Sequence, residues 1–196
     1  MLRVAILVSG GGTNLEAILK AKDEGKLPNA SIELVVSNKK NAFALERAKK
    51  HGVRAIYLKN TEFEENLVNI ITGESIDLIV LAGFLKILSK EFVQNFENRI
   101  INVHPSLIPS FCGKGYYGLT VHERALERGV KLTGATVHYV NEVPDGGKII
   151  LQKAVEVMDG DTPEILQKRV MEEAEWQILP KAIDLISKEQ KNTCKM

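Results

Sequence analysis

Val4-Ala5-Ile6-Leu7-Val8-Ser9-Gly10-Gly11-Gly12-Thr13-Asn14-Leu15 is the stretch on which the fold turns. Five apolar residues in a row, without polar alternation, mark a strand buried on both faces, as in the middle of a parallel sheet. Three glycines end it. Leu15, Ile18 and Leu19 then recur at helical spacing, so a helix is expected from Thr13 or Asn14 to Glu24, with Gly25 as its stop. Free N–H groups and the helix dipole at such a turn favour a phosphate. No Gly-Lys-Ser/Thr follows, as a nucleoside triphosphatase loop would need, and Leu15 takes the place of the third glycine of a dinucleotide fingerprint. Val36-Ser37-Asn38 supplies no acid for a ribose hydroxyl, so a single phosphomonoester is the better ligand. A tight strand-helix turn with an Asn cap is the simpler alternative.

Outward from this unit the pattern repeats: strand 32–36, helix 42–51, strand 54–58, helix 62–71, strand 76–82, short helix 90–96, and a strand ending at Asn102. The alternation predicts an α/β fold with an open, mostly parallel, doubly wound sheet and a ligand crevice at the carboxyl edge of its strands. Residues 105–120 hold two prolines and three glycines and are expected to form a long loop. A helix at 121–128 closes on Gly129, and two alternating runs, 133–140 and 148–157, flank Pro144-Asp145-Gly146-Gly147 as an antiparallel, hairpin-like addition. The last helix opens at Asp161 or Thr162 with Pro163 in its first turn and runs to about Ile186. The chain thus reads as one domain over 1–196, with a phosphate-binding half at 1–99, a catalytic half at 100–187, and a polar tail at 188–196 expected to fray.

Composition narrows the partners. The chain is 44% hydrophobic and 26% charged, and 26 Lys and Arg against 25 Asp and Glu leave a net charge of +1. No global field draws it to nucleic acid or a membrane surface, so an anionic ligand must be held locally. Cys112 and Cys194 make no disulfide framework, and the apolar run at 4–8 is too short for a signal peptide or a membrane span, so a cytoplasmic protein is expected.

The chemistry concentrates in Asn102-Val103-His104-Pro105-Ser106-Leu107-Ile108. A residue before proline is kept out of the helical region, which holds His104 extended, and Asn102 points to the same side of the strand. An amide and an imidazole on one face can bind an oxygen that becomes negative during reaction. A capped turn with a buried, hydrogen-bonded His is the structural alternative. Asp145 is explained by its turn alone, because Asp-Gly is a favoured pair; in the functional reading its carboxylate meets His104 and favours imidazolium. Leu85, Lys86, Ile87 and Leu88, after Ala82-Gly83-Phe84, could cover a flat heterocycle or simply pack. His138 is placed to line the crevice. Nothing near Cys112 specifically lowers a thiol pKa, which argues against a nucleophile there. His51 and His122 read as packed or solvated, and no His or Cys pair has the spacing of a metal site.

Taken in order, Ser9-Gly10-Gly11-Gly12-Thr13-Asn14-Leu15, Leu81-Ala82-Gly83-Phe84, Ile101-Asn102-Val103-His104-Pro105-Ser106-Leu107-Ile108-Pro109 and Asp145-Gly146-Gly147 resemble the folate-dependent phosphoribosylglycinamide formyltransferases of purine synthesis, over nearly the whole chain. The resemblance implies attack by the glycinamide amine on the formyl carbon of 10-formyltetrahydrofolate, a cosubstrate, without a covalent enzyme intermediate and without a metal. Asn102, His104 and Asp145 match the family's catalytic residues, and Gly12, Thr13 and Asn14 its phosphate-binding turn. Leu85, Lys86, Ile87 and Leu88 match its folate-binding segment, which Asn102 and His138 are expected to join. The ribose-contacting acid best matches Glu175, although the stretch 170–176 is one residue longer than usual and leaves Glu173 open. Two departures stand out: loop 110–118 is longer than in many members, and a basic folate contact has no match in 62–66. The implied partners are two small molecules, with the chain a monomer or homodimer. Formyltetrahydrofolate hydrolase and methionyl-tRNA formyltransferase share the Asn/His/Asp set. The first carries an added amino-terminal domain and the second a carboxyl-terminal RNA-binding domain, neither of which this chain suggests. A non-catalytic phosphate- or nucleotide-binding module of the same shape is the rival from another class.

Overall fold

In a computed structural model that describes residues 1–193, β1 (Leu2–Val8) lies inside a seven-stranded sheet, and its residues 4–8 are fully buried. Alternate side chains enter two separate cores. Val4, Ile6 and Val8 pack with α1 (Thr13–Asp23), α2 (Phe43–Lys50), α6 (Pro163–Val170) and α7 (Trp176–Thr193). Ala5 and Leu7 pack with α3 (Phe63–Gly73) and α4 (Lys90–Asn95) on the opposite face. Covering on both faces is what an unbroken apolar strand requires.

The remaining strands are β2 (Ala30–Ser37), β3 (Arg54–Tyr57), β4 (Leu78–Leu81), β5 (Ile100–His104), β6 (Leu132–Tyr139) and β7 (Ile149–Glu156), in the order β3-β2-β1-β4-β5-β6-β7. β3 through β5 run parallel, whereas β6 and β7 are antiparallel additions, as the alternation of the sequence predicts. Strand order reverses between β1 and β4, and ligands of doubly wound sheets bind in the crevice beyond such a reversal. The glycine turn follows β1 and segment 82–89 follows β4, so both lie at that crevice.

Three expectations are corrected. The strand expected to stop at Asn102 continues to His104, because β6 pairs with it through His104 opposite Thr136. The last helix is not continuous: α6 and α7 are joined by a π-helical turn, Met171–Glu175. The tail is not frayed from 188, because α7 reaches Thr193 on good helix formers, with Lys188 bonded to Asp184 one turn back at 2.5 Å and Ser187 buried. Cys194 and the last two residues lie outside the described residues. The loop after β5 closes at α5 (Leu119–Arg128), and the Ile108–Pro109 bond within it is cis.

Candidate active site

The phosphate turn is made of backbone. Gly12 adopts left-handed φ 73° at the start of α1, and a Cβ there would lie 2.6 Å from the Ala44 Cβ, so only glycine lets α2 pack this close. The Ala44 N–H donates to the Gly10 carbonyl at 3.1 Å, and the Arg47 guanidinium donates to the Gly11 carbonyl at 2.9 Å. No side chain caps α1, which leaves its first-turn N–H groups facing outward, where an anion can take them. The Asn-cap alternative fails, because Asn14 is buried and donates to the Glu175 carboxylate at 2.7 Å. Thr13 is exposed.

That bond also separates the two acids left open by the sequence. Glu175 is buried against the phosphate turn, whereas Glu173 is exposed. The π-helical turn holds one residue more than an α-turn would. Burial pushes the Glu175 carboxyl above the usual carboxylate range, against the opposing pull of Asn14.

Segment 85–88 is an exposed apolar ledge, with Leu85 68% and Ile87 81% accessible. Its start is pinned to the end of β1: the Leu85 N–H donates to the Ser9 hydroxyl at 2.9 Å, and that hydroxyl donates to the Asn38 side-chain oxygen at 2.7 Å. Lys86 lies over the Phe63 ring, 5.1 Å from its centroid, and donates to the Asn60 carbonyl at 3.3 Å.

The distant acid and the imidazole do meet. Asp145 Oδ2 stands 3.4 Å from His104 Nδ1. Asp145 is held in left-handed φ 56°, just before Gly146 and Gly147, and an added Cβ on Gly147 would sit 1.7 Å from the Tyr139 carbonyl oxygen. The long loop clips over both groups: the His104 Nε2–H donates to the Phe111 carbonyl at 2.9 Å, and the Gly113 N–H donates to Asp145 Oδ2 at 2.8 Å. Burial would raise the Asp145 pKa, but the Gly113 N–H that it accepts and the imidazoles beside it hold it below the usual range, so the group is ionised at neutral pH.

The expectation that Asp145 keeps His104 charged is corrected. His104 is only 4% exposed, and burial pulls its pKa below the ordinary value, outweighing the Phe111 carbonyl and the Asp145 carboxylate. His138 is not an open crevice wall either. It is 2% exposed, with Nδ1 against the Tyr139 carbonyl at 2.8 Å and Nε2 at 3.3 Å from Asn102 Nδ2. Direct contact with a cosubstrate is therefore not what its surroundings offer.

Cys112 lies between the two loop anchors, and burial raises its thiol pKa, which removes it as a nucleophile. His122 is fully buried with neither ring nitrogen partnered among the described residues, and burial followed by the charge of His104 takes its pKa to about 4. The loop anchors Phe111 and Gly113 and the turn-clamping Arg47 escaped the sequence reading. The glycines at 113 and 115 were the available signal, both at positive φ. Among the described residues no group of three or more His, Cys, Asp or Glu could hold a metal ion, and no helix is long and apolar enough to cross a membrane.

This geometry can be set beside known proteins. A family model described as formyl transferase matches residues 2–183. The chain is 40% identical to the chloroplastic phosphoribosylglycinamide formyltransferase of Arabidopsis thaliana, over 87% of this chain and 61% of that protein, so it spans about three fifths of that relative's length. It is 41% identical to the phosphoribosylglycinamide formyltransferase of Haemophilus influenzae, over 93% of this chain and 86% of the other. The crystal structure of glycinamide ribonucleotide transformylase 1 from Symbiobacterium toebii superposes with a TM-score of 0.88 at 40% identity, covering 96% of this chain and 89% of that one.

Proposed function

The chain belongs to the formyl transferase family, and on that premise we propose that it transfers the formyl group of 10-formyltetrahydrofolate to the amine of N1-(5-phospho-D-ribosyl)glycinamide, a step of purine (IMP) synthesis in the cytoplasm. The observation that carries this reading is the convergence of Asn102, His104 and Asp145, with Oδ2 of the acid 3.4 Å from the imidazole, on the same sheet edge as an uncapped phosphate turn.

The amine nitrogen adds to the formyl carbon and the carbonyl electron pair moves to oxygen. That oxygen takes an N–H of Asn102 and the Nε2–H of His104, replacing the Phe111 carbonyl that accepts it in this conformation. Asp145, ionised, receives the proton released by the amine, directly or through water, and the gap to the unprotonated Nδ1 lets acid and ring share it. Collapse re-forms the carbonyl, breaks the bond to N10, and returns a proton to that nitrogen, so the N–H lost by one substrate is gained by the other. Backbone N–H groups of Gly12 and the first turn of α1, with the Thr13 hydroxyl, hold the phosphate. Glu175 takes the ribose hydroxyls, and Leu85, Lys86, Ile87 and Leu88, with Asn102, cover the folate. Both partners are small molecules.

The test is cofactor-dependent formylation of the glycinamide ribonucleotide, followed by the absorbance of the released tetrahydrofolate. Release without formylated product indicates the hydrolase reading, and absence of both overturns catalysis in favour of a binding module.

A further inference from the structure

We propose that His138 is a positioning residue that dictates which end of the Asn102 amide faces the reacting oxygen; the inference rests on the formyl-transfer reading and assigns to His138 a part in it other than folate contact. The sheet register puts the two side chains together. His138 stands directly opposite Asn102 in the antiparallel β5–β6 pair, so both project from one face, two residues along from His104 opposite Thr136. A register shift between β6 and β7 falls between Val137 and His138, the kind of irregularity that re-aims a side chain beside an active site.

Proton bookkeeping does the rest. A backbone carbonyl can only accept, so the 2.8 Å contact between His138 Nδ1 and the Tyr139 oxygen places a proton on Nδ1. In the neutral ring Nε2 is then bare and can only accept. Of the two ends of the Asn102 amide, only the NH2 can donate to it, at 3.3 Å. One N–H is thereby spent on His138 and the amide is locked with its second N–H free to donate. The free N–H is the donor an oxyanion needs; the same amide turned over would present an acceptor and repel it. Nε2 also lies 3.6 Å from Asp145 Oδ1, so a protonated His138 would turn its new N–H to the carboxylate and release Asn102. The orientation of the oxyanion donor depends on His138 staying neutral with its proton on Nδ1.

Two measurements test this, one of them independent of turnover. In 15N-histidine-labelled ligand-free protein, with the His138 signals assigned by their loss in His138→Gln, the Nδ1–H tautomer is expected near neutral pH; an Nε2–H tautomer or an imidazolium overturns the proposal. In kinetics, against a wild-type enzyme first shown to transfer formyl, His138→Leu is expected to lower kcat roughly 10- to 100-fold with KM for both substrates little changed. In an Asn102→Ala background the same change is expected to cost nothing further, because its effect runs through Asn102. An equal additional loss in that background overturns the proposal, as does a His138→Leu enzyme of normal kcat. A wild type without formyl transfer would instead sink the reading of function and leave the tautomer result standing.

Discussion

At the turn between β1 and α1 the groups offered to a ligand are backbone N–H, fixed by glycine conformation and by α2 packed against it, whereas around β5 they are side chains drawn from a strand, its antiparallel neighbour and a turn some forty residues on. The difference teaches where each half is vulnerable. A backbone site tolerates side-chain truncation but no added Cβ, and a side-chain site is lost with one amide or one ring.

The contrast is broken most severely by Asn102→Ala or His104→Ala, each expected to lower kcat about 100- to 1000-fold while far-ultraviolet circular dichroism stays that of the wild type. Near-normal turnover in either variant removes that residue from the chemistry. Next comes glycine against glycine. A methyl on Gly147 would collide with the Tyr139 carbonyl and force the turn carrying Asp145 away from β6, so Gly147→Ala is expected to cost roughly 10- to 100-fold, chiefly in kcat. Gly12→Ala strains the phosphate turn instead, and should act mainly on KM for the phosphorylated substrate. If both changes fall on the same kinetic constant, the division into two halves is wrong.

Smaller effects appear in stability against pH. The folded pKa of Glu175 is raised, so the folded state favours its protonated form, and stability declines as pH climbs from the unfolded carboxyl value of about 4.3 toward the folded one. Glu175→Gln, neutral throughout, should therefore melt higher than the ligand-free wild type at pH 8 but not at pH 4, while binding the ribonucleotide more weakly. A melting difference independent of pH would contradict the buried-acid account. His122 has the opposite sign. Its folded pKa of about 4 lies below the ordinary 6.5, so its contribution is intact above pH 6.5 and is lost as pH falls toward 4, at most about 1.4 kcal/mol per pH unit. Urea unfolding at pH 7.5 and 5 should show His122→Leu less sensitive to acid than the wild type; equal sensitivity would place the loss elsewhere.

Much of this was legible in the residues. The run at 4–8 announced a strand covered on both faces, and the change of rhythm after His104 announced the antiparallel additions. The meeting of Asp145 with His104 was an expectation that chain separation could neither support nor forbid. What stayed hidden depended on register and on burial. Nothing in the spacing of 133–140 says that His138 falls opposite Asn102, because the pairing rests on the turn at 141–147 and on an irregularity in the neighbouring pair. The charge expected on His104 failed for a related reason: a nearby carboxylate can be read from sequence, whereas the loop that closes over the ring and dries it cannot. Apolar spacing through 163–186 looked like one helix because a single wide turn leaves the stripes on either side nearly in line.

That wide turn has a consequence for insertions and deletions. One surplus residue threaded through an ordinary α-helix would swing every later side chain by about 100°. Leu179, Ala182 and Ile183 would then leave the core they fill. The bulge confines the surplus to one place, so the two helices keep their phase while Ala174 and Glu175 are carried inward. Excising a single residue from Met171–Glu175 should accordingly leave a well-folded protein whose carboxylate no longer reaches the turn beside Asn14.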